Sequence, residues 1–349
     1  VEWRLGSPEL GSRLGSLFTL YPADSWRLKN GGPEKALVEA IANESWDAII
    51  IDHAALGWAL GPIRERRKAT GIGGDPVLVY VSHNHEAKVR REVARNSSAA
   101  LPRRLALRVD AEKYARQEEM LCREVDLVTA ITPAEVEAYR DQFPRQRYLC
   151  LTPGYEGPLH ADRVITAATP RRVVMSGSFD WIAKRTNLER FLDQAAAPLA
   201  SAGISLQIVG KTEEAFRLTM IDRYPGIDFV GRVPEMSPYL LDARLGLIVE
   251  EFGGGFKLKT LEYLFHGLPL AGLVQAVEGL PLQSPRHLIL ERDVPALIQS
   301  VIGIIDDIER LNAMRTEAFS LCREAFRWED RGRLLHERLL ELRGVALAG

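Results

Sequence analysis

Short apolar runs rich in β-branched residues alternate with helix-length segments along most of this chain, and that alternation leaves few folds open. A strand that returns through a helix pairs in parallel with its predecessor, and parallel sheets need helices over both faces. In the first half the strand-like runs are Ala48-Ile49-Ile50-Ile51-Asp52, Val77-Leu78-Val79-Tyr80-Val81, Leu127-Val128-Thr129-Ala130-Ile131 and Tyr148-Leu149-Cys150-Leu151. Helices are expected around 33–44, 86–95 and 106–124, and Thr132-Pro133-Ala134-Glu135 has the capping Thr, first-turn Pro and following Glu of a further helix start. In the second half the runs fall at 172–177, 205–210, 227–231, 245–249 and 270–274, before a long helical tail over 294–342. Gly177, Gly210 and Gly231 each close one of these runs. Ligands of open α/β sheets bind beyond the carboxyl ends of strands, so these glycines mark where a site is to be sought.

A chain of 349 residues is too long for one ordinary core and suits two domains. Pro153-Gly154-Tyr155-Glu156-Gly157-Pro158 marks the break. The expected division is a first domain over 1–155, a linker over 156–170, a second domain over 171–325, and a helix over 326–349 that crosses back to the first. Charged residues at 26% and hydrophobic ones at 46% are ordinary for a globular chain without a membrane span. Val1-Glu2-Trp3-Arg4 has no export pattern, and Cys122, Cys150 and Cys322 are too few and too scattered for a disulfide framework or a zinc site. The expectation is a cytoplasmic protein with reduced thiols.

A formal net charge of -2 excludes a globally basic nucleic-acid binder. Two local clusters stand out: Arg64, Arg66, Arg67 and Lys68, then Lys88, Arg90, Arg91, Arg95, Arg103 and Arg104. Each reads either as a solvated helix face or as a surface for anionic headgroups, which would place the protein peripherally at the inner face of a membrane.

Gly253-Gly254-Gly255-Phe256-Lys257-Leu258-Lys259-Thr260-Leu261-Glu262 follows the run at 245–249 and leads into Leu264 and Phe265 at helical spacing, until Gly267 and Pro269 stop the turn. Free amides at a helix start attract phosphate oxygens, glycine allows close approach, and lysines supply charge. Glu262 lies three residues after Lys259, on the same helix face, where a carboxylate can accept from ribose hydroxyls. Alone, the segment favours a phosphate site over the competing reading of a tight turn with solvated lysines.

Its companions carry a resemblance. Val174-Met175-Ser176-Gly177-Ser178-Phe179-Asp180-Trp181 with Asn187, then Gly231-Arg232-Val233, the glycine and lysine segment, Gly267-Leu268-Pro269 and Glu278-Gly279-Leu280 occur in the order found in GT-B glycosyltransferases. The match is to the retaining, group 1 enzymes that include many bacterial cell-surface and polysaccharide sugar transferases. The first half resembles the acceptor domain of these enzymes through Trp46-Asp47-Ala48-Ile49-Ile50-Ile51-Asp52-His53, Tyr80-Val81-Ser82-His83-Asn84-His85-Glu86, Glu118, Asp126 and Thr132. The resemblance implies an α/β fold of two Rossmann-like domains facing across a cleft. It assigns the nucleotide sugar to Gly177, Ser178, Phe179, Arg232, Val233, Gly253, Gly254, Gly255, Phe256, Lys257, Leu258, Lys259 and Glu262, with Lys257 and Lys259 on the diphosphate. His83, Asn84 and Glu86 fall on the acceptor side, His83 near the transferred sugar; a histidine there reads equally as one that ends a strand.

Two features depart from the family pattern. Gly254 stands where the first of two glutamates with seven residues between them is expected, with Glu250 and Glu251 just upstream, and the first strand and helix are shortened or absent. The implied activity is transfer of a sugar from a nucleoside diphosphate donor, expected to be UDP-linked, to a carbohydrate or glycolipid hydroxyl with retention of configuration. No metal and no cofactor beyond the donor are expected, for there is no Asp-x-Asp and the paired acids Asp306-Asp307 sit in the helical tail. A nucleotide-sugar epimerase of the same fold and an impaired, nucleotide-binding homologue are the competing readings.

Overall fold

The computed structural model describes residues 13–30, 32–70, 75–97, 99–180, 182–251 and 256–344. The chain divides into two compact units. One is built from the chain up to Thr152 together with the chain from Arg331 onward, and the other is Pro153–Asp330.

The first unit holds a parallel sheet of four strands, β1 (Ala48–Asp52), β2 (Val77–Val81), β3 (Leu127–Ala130) and β4 (Tyr148–Cys150), in that spatial order. Val79, Tyr80, Leu127 and Val128 are fully buried, as expected of parallel strands covered on both faces. One face packs against Trp58, Leu60, Tyr114 and Leu121. On the other, Val77, Val79 and Leu127 meet Leu335, Leu339 and Leu342 of the last helix, Trp328–Leu342. Arg331 secures that helix by donating to the Thr152 carbonyl at 2.7 Å and hydroxyl at 2.8 Å.

The second unit carries six parallel strands: β5 (Arg172–Ser176), β6 (Ser205–Val209), β7 (Asp228–Gly231), β8 (Leu245–Ile248), β9 (Leu270–Leu273) and β10 (Ile289–Glu291), in the order β10-β9-β8-β5-β6-β7. The chain runs outward from β5 through β6 and β7, then returns to β5's other edge and runs outward again through β8, β9 and β10. The reversal places a topological switch point between β5 and β8, where doubly wound sheets take ligands.

Nine of these ten strands coincide with the sequence runs to within a residue at either end. The tenth, β10, has only three residues and gives almost no periodic signal. Thr132 and Glu135 form the expected reciprocal capping box. The tail expected as one helix is three, Val294–Ile304, Ile308–Ala325 and Trp328–Leu342. Asp306 and Asp307 occupy the first break rather than a helix interior: Asp306 accepts from Arg171 and Arg244, and Asp307 caps the next helix at the Arg310 amide. Residues 156–170, linker-like in composition, pack on the second unit instead. Arg163 donates to the Gly267 carbonyl at 2.8 Å, and Ile165 is buried and tied by its amide to Asn312 at 2.9 Å.

Candidate functional site

In the second unit the glycines at the ends of β5, β6 and β7 form a backbone ladder. The Gly177 amide donates to Val209 at 3.0 Å and the Gly210 amide to Gly231 at 2.8 Å. Gly210 has φ of 135°, and a Cβ there would lie 1.9 Å from the Gly177 carbonyl oxygen, so no other residue fits. Ser178 is exposed above this ladder, whereas Phe179 is buried, its amide bonded to the Lys211 carbonyl at 2.7 Å. Arg232 is exposed and Val233 packs on the core.

The helix Leu258–Phe265 begins beside β5, with Lys257 at its N-cap. Gly253, Gly254 and Gly255 lie outside the described residues. The helix buries Leu261, Tyr263, Leu264 and Phe265 and exposes Leu258. Two contacts fix its position. The Tyr263 hydroxyl accepts from the Ser176 amide at 2.5 Å, and Gly246 of β8 leaves room for the Tyr263 ring, which a Cβ would meet at 2.4 Å. Phe256 packs against Phe326 with ring centroids 5.6 Å apart.

So positioned, the helix presents Lys259 to the switch point. Its ammonium donates to the Ser176 carbonyl at 3.3 Å and to Glu250, just beyond β8, at 2.5 Å. Both side chains are largely covered, at 15% and 12% exposure. Burial acts to raise the Glu250 carboxyl, but Lys259, and then Lys257, hold it below the ordinary range. Burial lowers Lys257, with the carboxylates of Glu250 and Glu278 working against it and Lys259 with it. Lys184, in the helix Ile182–Ser201, is lowered by burial and then by the charge of Lys259. Three ammonium groups thus share the field of one central carboxylate, whose second oxygen is buried without a hydrogen-bond partner. Such a surplus of partly desolvated positive charge suits a polyanion.

Lys184 is the residue the sequence reading missed. It lies eight residues beyond β5, which no Gly-Lys spacing marks. Glu262 is half-buried in the second turn of the short helix, and burial alone raises its carboxyl. Asn187 is buried and accepts from the Glu251 amide at 3.0 Å.

In the first unit, β1 and β2 end on His53 and His83. The His83 Nε2 lies 2.6 Å from Asp52, both side chains being exposed. His53 adopts φ of 92°, rare for a residue with a Cβ, and its Nδ1 accepts from the Ala55 amide at 2.9 Å. That leaves Nε2 toward Glu86 at 3.4 Å, and the two imidazole centroids stand 5.6 Å apart. Burial works to raise the Glu86 carboxyl, and hydrogen bonding to His53 with the charge of Arg90 overcomes it, to about 2. Asn84 donates to Glu86 at 3.3 Å.

The loop is held from below by Glu118, 2% exposed. Its carboxylate accepts from the amides of Glu86 and Ala87, both at 2.9 Å, and from the hydroxyls of Tyr139 at 2.6 Å and Tyr80 at 3.2 Å. A carboxylate at the start of the helix Glu86–Asn96 also meets the positive end of its dipole. His83, Asn84 and Glu86 therefore belong to one rigid loop, while Lys257, Lys259 and Glu262 form a separate group in the other unit.

The basic clusters resolve differently from one another. Arg64 pairs with Glu124 at 2.5 Å, Lys68 with Glu65 at 2.7 Å, and Arg91 with Glu112 at 2.7 Å, while Arg90 lies over the Tyr114 ring at 4.2 Å. Lys88 and Arg103 are exposed without an ion-pair partner among the described residues. Among those residues no helix is long and apolar enough to cross a membrane.

Comparison with known proteins places this geometry. Residues 170–307 match the family described as Glycosyl transferases group 1, a stretch containing every strand of the second sheet. Comparison with curated protein sequences yields no match. Among solved structures, the chain resembles sucrose-phosphate synthase from Thermosynechococcus elongatus at 19% identity and a TM-score of 0.66, covering 91% of this chain and 79% of that one. It resembles HepE of Anabaena, solved with UDP and glucose, at 13% identity and 0.62, covering 89% and 82%. It also resembles the pneumococcal O-GlcNAc transferase GtfA, solved with UDP and GlcNAc, at 14% and 0.59, covering 88% of this chain and 59% of that one. The chain has the two-domain GT-B fold, and residues 170–307 of its second unit are similar to the group 1 glycosyltransferase family.

Proposed function

We propose that this protein transfers a sugar from a UDP-linked donor to an acceptor hydroxyl with retention of configuration. The observation that carries the reading is the cluster of Lys184, Lys257 and Lys259 around Glu250 at the switch point between β5 and β8. A diphosphate leaving group gains negative charge as the glycosidic bond loosens, and partly buried ammonium groups already in place stabilise it with little reorganisation. In this reading Gly253, Gly254 and Gly255 add backbone amides to the diphosphate. Gly177, Ser178, Phe179, Arg232 and Val233 border the nucleotide, and Glu262 accepts from the ribose.

The bond from the anomeric carbon to the diphosphate breaks, the acceptor oxygen bonds to that carbon on the same face, and its proton passes to the departing phosphate oxygen. His83, held by Asp52, orients the sugar, and Asn84 and Glu86 shape the acceptor side. UDP in the solved HepE and GtfA structures supports uracil as the base. Lysines meet the diphosphate charge, so no divalent cation is needed there. A carbohydrate or glycolipid acceptor fits the family match, with polysaccharide or glycolipid synthesis as the setting.

The test is a binding panel of UDP, GDP and dTDP, followed by turnover of UDP-sugars in EDTA with the anomeric configuration of the product read by NMR. UDP is expected to bind tightest, and Lys257→Ala to lose about a hundredfold or more in turnover. Undiminished turnover in Lys257→Ala would refute the diphosphate assignment.

A further inference from the structure

The helices Glu86–Asn96 and Leu101–Glu124 of the first unit pack along one another, and the outward face of the longer one is apolar where it begins. That helix buries Ala111, Tyr114, Gln117, Glu118 and Leu121 on its inner side. Leu101, Leu105 and Val109, spaced by four, fall on the opposite side, at 76%, 62% and 42% exposure. Apolar residues exposed singly are common, but three on one stripe call for a partner. Lys113, one turn beyond Val109, donates to the Ser16 carbonyl at 2.5 Å and so sets the short 3-10 helix Arg13–Phe18 beside the stripe, with Phe18 itself 92% exposed.

Around the stripe the chain leaves cations unneutralised. Lys88, Arg103 and Arg108 are exposed, and their side chains make no hydrogen bond or ion pair among the described residues. Arg91 reaches across the helix pair to Glu112 at 2.7 Å, and after that hydrogen bond the charges of Arg116 and Arg95 also hold the Glu112 carboxyl below its ordinary range. Three guanidinium groups thus share one carboxylate. Of the other acids between 86 and 116, Glu86 is taken by Arg90 and His53, and Asp110 accepts from the Ala23 amide at 2.7 Å. Glu92 alone is left against Lys88, Arg103 and Arg108.

A soluble polyanion such as RNA would meet the cations but leave the leucines in water, and a purely apolar partner would strand the cations. The headgroup boundary of an anionic bilayer meets both at once, with apolar side chains below the phosphates and long basic ones at their level. We propose that this helix pair docks the protein on an anionic membrane surface, with Leu101, Leu105 and Val109 entering the headgroup boundary and Lys88, Arg103 and Arg108 at the lipid phosphates. The surface shares no residue with the lysine cluster of the second unit, so docking stands or falls apart from the donor reading.

The test is flotation of the full chain with vesicles of phosphatidylcholine, either alone or with about one third phosphatidylglycerol. Binding should be about a hundredfold tighter to the anionic vesicles, each of the three cations contributing about fivefold, and salt at about 0.5 M should remove most of it. Lys88→Gln/Arg103→Gln/Arg108→Gln should erase the preference for anionic vesicles. Leu101→Ser/Leu105→Ser keeps every charge and should still weaken binding about tenfold or more. Both variants change exposed side chains, so their melting temperatures should match that of the unaltered chain, which separates a lost contact from a lost fold. Equal binding to neutral and anionic vesicles, or no vesicle binding by the unaltered chain, would overturn the proposal. Anionic binding undiminished by the leucine change would assign the surface to a soluble polyanion, and a dimer in sedimentation equilibrium that the leucine change dissociates would assign the stripe to a second copy; either result overturns membrane docking.

Discussion

Beyond β1 and β2 the chain gathers imidazoles and carboxylates; beyond β5 and β8 it gathers three lysines around Glu250, with Glu278 also acting on Lys257. In the first unit the carboxylates near the strand ends are each matched: Asp52 by His83, Glu86 by His53 and Arg90, Glu118 by two amides and two phenols. In the second, cations exceed anions and one carboxylate oxygen is left without a partner. A set balanced in charge holds a shape and presents hydrogen-bonding groups, whereas a set in which partly buried cations outnumber the nearby carboxylates favours a ligand of opposite charge. The same supersecondary scaffold thus carries a charge-balanced loop in one unit and a lysine-rich cluster in the other.

The contrast breaks most directly at Lys259. Lys259→Ala should cost about a thousandfold in kcat/KM, equivalent to about 4 kcal/mol, together with some urea stability because Glu250 loses its partner; a loss in kcat/KM below tenfold would mean the lysine charge is not used. In the first unit the matched set should fail structurally instead. Glu118→Gln is expected to lower unfolding free energy by about 3 kcal/mol in urea titrations, because four donors then face a neutral amide.

Acid sharpens the difference. The folded Glu86 carboxyl, at about 2, lies below the ordinary value of 4.5, so on acidification the unfolded chain takes up the proton first. The stabilisation is complete above that ordinary value and is lost as pH falls toward 2, a span on the order of 3 kcal/mol that Glu86→Gln should flatten. Glu262 has the opposite sign. Raised by burial, it is bound to its proton more tightly in the folded chain, so its contribution declines as pH rises through the ordinary carboxylate value. Glu262→Gln should therefore leave neutral-pH stability unchanged or slightly higher while weakening UDP severalfold by calorimetry. A large stability loss would show that Glu262 is structural.

Much of the scaffold was legible because parallel strands covered by helices are written as short, mainly apolar runs, and nine of ten strands coincide with such runs. Thr132 and Glu135 could be read as a helix start because a capping box is a local bargain between backbone and side chain. The failures share one cause, dependence on partners distant in sequence. Residues 156–170 read as a linker until Arg163 and Ile165 find carbonyls and amides near 267 and 312. The lysine pair at 257 and 259 was visible in a local motif, but Lys184 joins it only through the fold. Glu118 was placed by resemblance alone, and its office as the support of the His83 loop emerges only when Tyr80, Tyr139 and two amides converge on it.

The last helix has a consequence for how the chain is assembled. Leu335, Leu339 and Leu342 cover one face of the first sheet, yet they are translated after the whole of Pro153–Asp330. The second unit is a contiguous segment and is finished first on the ribosome. The first unit, begun earlier, keeps Val77, Val79 and Leu127 without their cover until the segment beyond Asp330 has been made, so termination before that segment would leave that sheet face open to association with other chains.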